Sequence, residues 1–398
     1  MAAETIREFE ALEAQAQKLL SGFIAGGHEA VAPALIQPAN VYLDVIGETL
    51  RARTYVFQDP NGVELCLRPD LTVPTCLLHL ERPSNGETTT KYCYNGTAFR
   101  FQPSDADAAH PREFRQLGIE TFGGDDREKV EAETVALILE GLKEAGLTDF
   151  GLRIGDLGIL QSVMDGADMP QRWRQKLMHQ FWRPDAFRAE LERLTNRPSA
   201  AADALDPELR KLVEGAAPGE VPGILSRYLE AEGIELIGSR ALVDIAESLV
   251  LILEDAKAEP LAPATAELIA NYVGVNARAK AAGARLKDLM RDQEINISDA
   301  LDTYQRRLAL LADAGVDVSK ANFSAQFGRS LEYYTGFVFE VVAPTLGDQS
   351  PVAGGGRYDT VLRACGAKEA TPAAGAAIHT ERLLAAVVGG QALNGEAS

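Results

Sequence analysis

The first apolar positions of this chain fall at helical spacing: Ile6, Phe9, Leu12, Leu19, Leu20 and Phe23. The run stops at Gly26-Gly27, a pair suited to a C-cap, so a helix is predicted over residues 3–25. The period then shortens. In "TYVFQDPNGVELCLRPD" two β-type runs flank Asp59-Pro60-Asn61-Gly62. Asn-Gly tolerates the positive φ angles of a tight turn, so this is a hairpin signal. "TKYCYNGTAFRFQ" and "REFRQLGIETFGG" read as two further strands joined by the polar loop "PSDADAAHP". "DREKVEAETVALILEGLKEAGL" returns to helical spacing, with acidic residues in its first turn and Gly146 near its end. "DFGLRIGDLGIL" reads as a strand and a turn.

From about 160 to 320 Leu, Ala, Glu and Arg dominate, broken at "NRPSAAADALDP" and "EGAAPGEVPG". This predicts a helical insertion. Strand signals return at "ANFSAQFG", "YYTGFVFEVVAP" and "TPAAGAAIHT", and residues 389–398 read as a frayed tail. No internal repeat is evident. β material therefore lies at both ends of the sequence around a helical middle, and hairpins favour antiparallel pairing. The predicted fold class is α+β: a mostly antiparallel sheet flanked by helices, with a helical insertion. One domain is expected over 1–388, its core formed by 1–160 and 320–388.

Composition narrows the function classes. The chain has 398 residues, 46% hydrophobic and 24% charged, ordinary for a soluble globular protein. No apolar run approaches the roughly 18 residues of a membrane span. The acidic, helix-patterned start does not read as a secretory signal. Cys66, Cys76, Cys93 and Cys365 show no C-x-x-C spacing and read as reduced thiols of a cytoplasmic protein, so no metal and no cofactor are expected. The net charge of −19 argues against a nucleic-acid partner. The one basic stretch, "RWRQKLMHQFWRPDAFR" at 172–188, reads better as an amphipathic helical surface than as an RNA patch.

Four segments combine strand pattern with charge: "LRPDLTVP" (67–74), "FRFQ" (99–102), "FRQLGIE" (114–120) and "GRSLEYYTG" (328–336). A fifth, "GGGRYD" (354–359), is glycine-rich but lacks the context of a dinucleotide loop. Charges within β-type runs are costly to bury unless paired or met by a ligand. Strand side chains alternate, so Gln116 and Glu120 share a face with Gly118 between them, a polar notch with space for a ligand. Any one segment could equally be a surface strand with cross-strand ion pairs. Tyr333 and Tyr334 could be plain strand aromatics, Arg329 with Glu332 an ordinary ion pair, and His110 and His379 structural or exposed.

Taken in order, these segments resemble the catalytic core of class II aminoacyl-tRNA synthetases, in particular the histidyl-tRNA synthetase branch. "GHEAVAPALIQPANVYLDVIGE" resembles its first motif, and "YCYNGTAFRFQ" with "REFRQLGIETFG" its second. "LRPDLT" is similar to its "LRPEGT", and "GRSLEYYTGFVFE" to its histidine-binding "RGLDYYTGTVFE". "AGGGRYD" and "AAGAAIHTERL" resemble the region leading into the third motif. The resemblance covers most of 5–160 and 320–388. It implies a pocket for free histidine: Asp70, Thr72 and Gln116 on the α-ammonium, Arg100 facing the carboxylate with Arg329 near the same end, Glu120 and Tyr334 bracketing the imidazole, and Tyr333 beside it. Acceptors, a cation and polar ring partners are the groups such a ligand requires.

The departures fall on the nucleotide and RNA sides. The second motif of the synthetases reads Arg-x-Glu, whereas here it is Arg100-Phe101-Gln102. In "GAAIHTER" His379 stands where a small residue leaves room for adenine, although Arg382 remains. The loop after Gln102 carries Asp105 and Asp107, and 16 residues follow Arg382, so no anticodon-binding domain is expected. This combination resembles a paralogous family, the regulatory subunits of ATP phosphoribosyltransferase. That resemblance implies a non-catalytic chain needed by a short-form catalytic subunit in the first step of histidine biosynthesis. It further implies L-histidine as feedback effector, a self-dimer made as in class II synthetases, a hetero-octamer of four chains of each kind, and no tRNA. A histidyl-tRNA synthetase lacking its anticodon-binding domain, or another synthetase-like enzyme, remains the alternative.

Overall fold

The computed structural model describes residues 5–45, 48–82, 88–102, 111–196, 198–235, 241–291, 295–327 and 333–396. The chain divides into two compact units, Met1–Val163 with Tyr272–Ser398, and Met164–Asn271. No described helix is long and apolar enough to cross a membrane.

The first unit opens with the helix Ile6–Ala25, which buries Leu12, Ala16, Leu19 and Phe23. Thr5 and Glu8 form a reciprocal capping box at its start. The predicted apolar stripe is met in part, because Ile6 and Phe9 stay exposed. Phe9 instead lies under the Arg115 guanidinium, 5.5 Å from ring centroid to cation.

The described strands are, in chain order, β1 (Glu29–Ala30), β2 (Ile36–Pro38), β3 (Val56–Gln58), β4 (Glu64–Leu67), β5 (Thr89–Phe99), β6 (Glu113–Gly123), β7 (Gly151–Asp156), β8 (Asn276–Arg278), β9 (Asn322–Ser324), β10 (Phe337–Val342), β11 (Ala353–Arg357) and β12 (Ala373–His379). Among the described residues, nine of them form one sheet in the order β1-β5-β6-β12-β11-β10-β7-β9-β8. Pairing is antiparallel from β5 through to β7, but β1 joins β5 and β9 joins β7 in parallel. The sheet is therefore mixed, which corrects the mostly antiparallel expectation near its two margins. There the partners are not joined by a hairpin, and parallel neighbours need long crossovers.

The predicted hairpin forms between β3 and β4, with Gly62 at φ 82°. Asp59 Oδ1 accepts from Asn61 N at 2.8 Å and Val63 N at 2.9 Å, closing the turn. This hairpin belongs to a separate three-stranded sheet, β2-β4-β3. One face of that sheet leaves Ile36 and Phe57 exposed. β7 runs into the helix Leu157–Gly166 rather than into a turn. Asp156 Oδ1 accepts from Gly158 N at 2.8 Å and so caps that helix. The helix Thr380–Glu396 likewise runs through most of the stretch read as a tail.

The second unit is helical. Its core joins Ala202, Val213, Val221, Leu225, Ala246, Leu249 and Leu253. The basic stretch lies on the helices Gln171–Gln180 and Pro184–Asn196, burying Trp173, Leu177 and Phe187. Arg172 pairs with Asp255, and Lys176 with Glu190 at 3.2 Å. Residues 272–320, grouped with the helical middle by composition, pack with the sheet-bearing unit and supply β8.

Candidate functional site

Register brings the charged segments together. Glu120 pairs with Gly375, and Gln116 with Gly96 and His379. Asp70 sits just ahead of the helix Thr72–Glu81, where Val73 N donates to its Oδ1 at 3.3 Å. Tyr333 and Tyr334 precede β10, their rings 5.0 Å apart between centroids. Tyr358 follows β11, 5.8 Å from Tyr333 and 6.5 Å from Tyr334. Asp70, Thr72, Gln116, Tyr333, Tyr334 and Tyr358 line one cavity of about 20 Å³, floored by Gly354, Gly375, Ala376 and Ala377.

Glu120 lies behind this cavity, 1% exposed. Thr72 Oγ1 donates to its Oε1 at 2.7 Å, Tyr94 OH to the same oxygen at 2.9 Å, and Tyr358 OH to Oε2. Burial pushes the Glu120 carboxyl up to about 7, and these three hydroxyls pull against that rise. A side chain at Gly375 would begin 1.6 Å from Glu120 Oε2, so only glycine leaves the carboxylate its place. Burial also pushes the Asp70 carboxyl up, opposed first by the positive charge of Arg100.

The notch expected beside Gly118 is filled. Tyr94 is its cross-strand partner, and a Cβ on Gly118 would come within 2.6 Å of the Tyr94 hydroxyl. The space left by glycine holds the hydroxyl that grips Glu120, not a ligand. Arg100 lies near the cavity without lining it. Its Nε donates to Pro69 O at 2.9 Å and its guanidinium covers the Phe114 ring at 5.0 Å. Arg329 lies outside the described residues, as do His110, Asp105 and Asp107. His379 is buried and tilts over Phe114, ring centroids 5.2 Å apart. Gln102 is also buried, its carbonyl accepting from Arg112 Nη2 at 3.0 Å.

Among the described residues, two buried polar atoms in the cavity wall have no hydrogen-bond partner: Asp70 Oδ2 and Gln116 Oε1. Each is an acceptor and calls for an N–H or O–H donor from elsewhere. Tyr94 and Tyr358 were absent from the sequence-based site. "GGGRYD" carried the signal for Tyr358 and "YCYNG" that for Tyr94.

The histidyl-tRNA synthetase family model matches residues 5–221 and 252–383. A protein of Brucella anthropi called ATP phosphoribosyltransferase regulatory subunit is 33% identical over 354 residues, covering 88% of this chain and 90% of its own. One of Brucella canis with the same name is 35% identical over 368 residues, covering 91% and 92%. The chain belongs to the family of ATP phosphoribosyltransferase regulatory subunits. Solved structures agree on the fold of this family. One from Bacillus halodurans, described as an ATP phosphoribosyltransferase regulatory subunit/histidyl-tRNA synthetase, superposes with TM-score 0.69 at 18% identity, covering 97% of this chain and 82% of that one. Histidyl-tRNA synthetase from Nostoc gives 0.60 at 16% identity, covering 96% and 72%. The family thus has the class II synthetase architecture, as the motifs implied.

Proposed function

We propose that this chain binds free L-histidine in the Asp70–Gln116–Tyr334 cavity and, as a non-catalytic subunit, sets the activity of a short-form ATP phosphoribosyltransferase catalytic chain. The observation that carries the binding reading is the pair of buried, unpartnered acceptors, Asp70 Oδ2 and Gln116 Oε1, in one cavity. An α-ammonium supplies the donors and the charge that this pair calls for. Arg100, with Arg329, takes the carboxylate. Tyr334 takes the imidazole, with Tyr333 alongside, and Glu120 acts on it from behind the wall through the hydroxyls of Thr72 and Tyr358. Such a site discriminates against ligands that leave its buried groups unpaired.

Inhibition requires that histidine bind one state of the assembly better than another. The assembly proposed is four of these chains with four catalytic chains. The exposed apolar face of the β2-β4-β3 sheet supports self-dimerisation as one of its contacts. The Tyr334→Phe variant is expected to bind histidine about tenfold more weakly in a calorimetric titration, the scale of one lost hydrogen bond to a polar ligand. Absence of histidine binding by the wild-type chain, alone and in the complex, would sink the proposal.

The second reading, an active histidyl-tRNA synthetase, is favoured by the family model that matches. His379 weighs on the other side: it stands where, by the resemblance, a small residue leaves room for adenine, and its ring lies against Phe114. Histidine-dependent exchange of pyrophosphate into ATP separates the two: silence is expected, and exchange supports the synthetase.

A further inference from the structure

Glu120 and Tyr94 stand one layer behind the cavity: neither lines it, and each is 1% exposed. Three hydroxyls donate to the Glu120 carboxylate, that of Thr72 at 2.7 Å, that of Tyr94 at 2.9 Å and that of Tyr358. Two of these donors, Thr72 and Tyr358, also line the cavity. We propose that Tyr94 is a positioning residue of this site: by holding Glu120 as an acceptor, it keeps the Thr72 and Tyr358 hydrogens turned away from the cavity, so that this wall accepts hydrogen bonds and does not donate them. This rests on the reading of the cavity as a histidine site.

A hydroxyl has one hydrogen. While Thr72 and Tyr358 give theirs to Glu120, they have only lone pairs left to present to the cavity, beside the unpartnered acceptors Asp70 Oδ2 and Gln116 Oε1. Such a wall suits the N–H donors of an ammonium and of an imidazole. A protonated Glu120 has a hydrogen of its own to place. Given to Thr72 or Tyr358, it turns that hydroxyl's hydrogen into the cavity, against those of the ligand. The wall therefore works with Glu120 ionised, and burial opposes that state. Tyr94 favours it as a donor fixed in place. Tyr94 faces Gly118 across the strands, where a Cβ would come within 2.6 Å of its hydroxyl. Lying outside the cavity, that hydroxyl acts on a ligand only through Glu120. Among the described residues, the nearby Asp70 disfavours the charge on Glu120 and is itself pushed up by burial. Cys76, on the helix Thr72–Glu81, and Tyr333 keep their protons, since burial pushes both well up.

The test is calorimetric titration of the full-length chain with L-histidine between pH 6 and pH 9, for wild type, Tyr94→Phe, Glu120→Gln and the double variant. The ligand's own ionisations are common to all four and cancel in the affinity ratios. Losing one hydrogen bond to a charged group raises the pH at which Glu120 takes up its proton, about 7 in wild type, by about one unit. Tyr94→Phe is therefore expected to bind L-histidine about fivefold more weakly than wild type at pH 7, but within about twofold at pH 9. In the Glu120→Gln background, Tyr94→Phe is expected to change the affinity by one factor at every pH. If Tyr94→Phe leaves the affinity unchanged, or weakens it equally at pH 7 and pH 9, the positioning role is wrong. A pH-dependent effect that survives in the Glu120→Gln background overturns it as well. If wild type binds no L-histidine at any pH, the reading of the site itself is wrong.

Discussion

Glu120 is a carboxyl group in a nearly dry position, and its ionisation is linked to stability. Its folded value of about 7 lies above the usual carboxylate range because of burial. The folded chain therefore holds this proton more tightly than the unfolded chain. The stability it contributes is fully present below the unfolded value near 4.5 and is lost as pH rises through about 7. The loss is at most roughly 3 kcal/mol for a shift of this size. Urea midpoints of wild type are expected to fall between pH 5 and pH 8 by a component that Glu120→Gln lacks, and parallel pH profiles for the two would refute this. At this scale the sequence was informative but incomplete. Alternation along β6 put Gln116 and Glu120 on one face, as found. What fills the space over Gly118 depends on which residue of β5 lies opposite, and no local pattern specifies that register.

The elements around the site are joined by a buried ionic cluster. Glu131, on the helix Arg127–Glu144, takes Arg307 on one oxygen and Arg357 on the other. Arg307 also reaches Asp156 at the end of β7, and Arg357 reaches Asp359 at 2.8 Å. Thr335 N donates to Arg357 O at 2.8 Å, so the segment carrying Tyr333 and Tyr334 is tied to the same arginine. "GGGRYD" thus divides its labour: Arg357 and Asp359 hold elements together, and Tyr358 holds Glu120. Removing one member of a buried ionic group strands the others. Glu131→Ala is expected to cost about 3–5 kcal/mol in denaturant unfolding, whereas replacing Glu131, Arg307 and Arg357 together by apolar residues, with Asp156→Asn so that this buried carboxylate is not left unpaired, should cost much less. A Glu131→Ala loss below about 1 kcal/mol would show that solvent reaches the cluster. Here too the sequence was only partly legible. β5, β6 and β10 announced themselves by alternation and β-branched or aromatic content. β11 did not, because glycines weaken a strand signal. They are needed there by contact: a Cβ on Gly355 would lie 2.1 Å from Gly375 O, and one on Gly356 2.4 Å from Phe337 O. β8, three residues within a helical stretch, was hidden by its surroundings.

For the whole molecule, motif order along the chain located the family where composition could not. Composition argued against a nucleic-acid partner and against a membrane span but named no family; in the basic stretch at 172–188, Arg172 and Lys176 are met by Asp255 and Glu190. Composition also misplaced the return to the sheet-bearing unit, because helices that cover a sheet and helices that form their own core share the same residues. The central claim is that this chain carries histidine sensitivity into an enzyme whose chemistry lies elsewhere. Its most direct test is the ATP phosphoribosyltransferase rate of a short-form catalytic subunit, measured with and without this chain across a histidine series. The account predicts a low rate alone, a raised rate with equimolar chain, and a fall with histidine that needs about tenfold more effector when the chain carries Tyr334→Phe. A catalytic subunit that is fully active alone, unaffected by the chain and indifferent to histidine in its presence would contradict it.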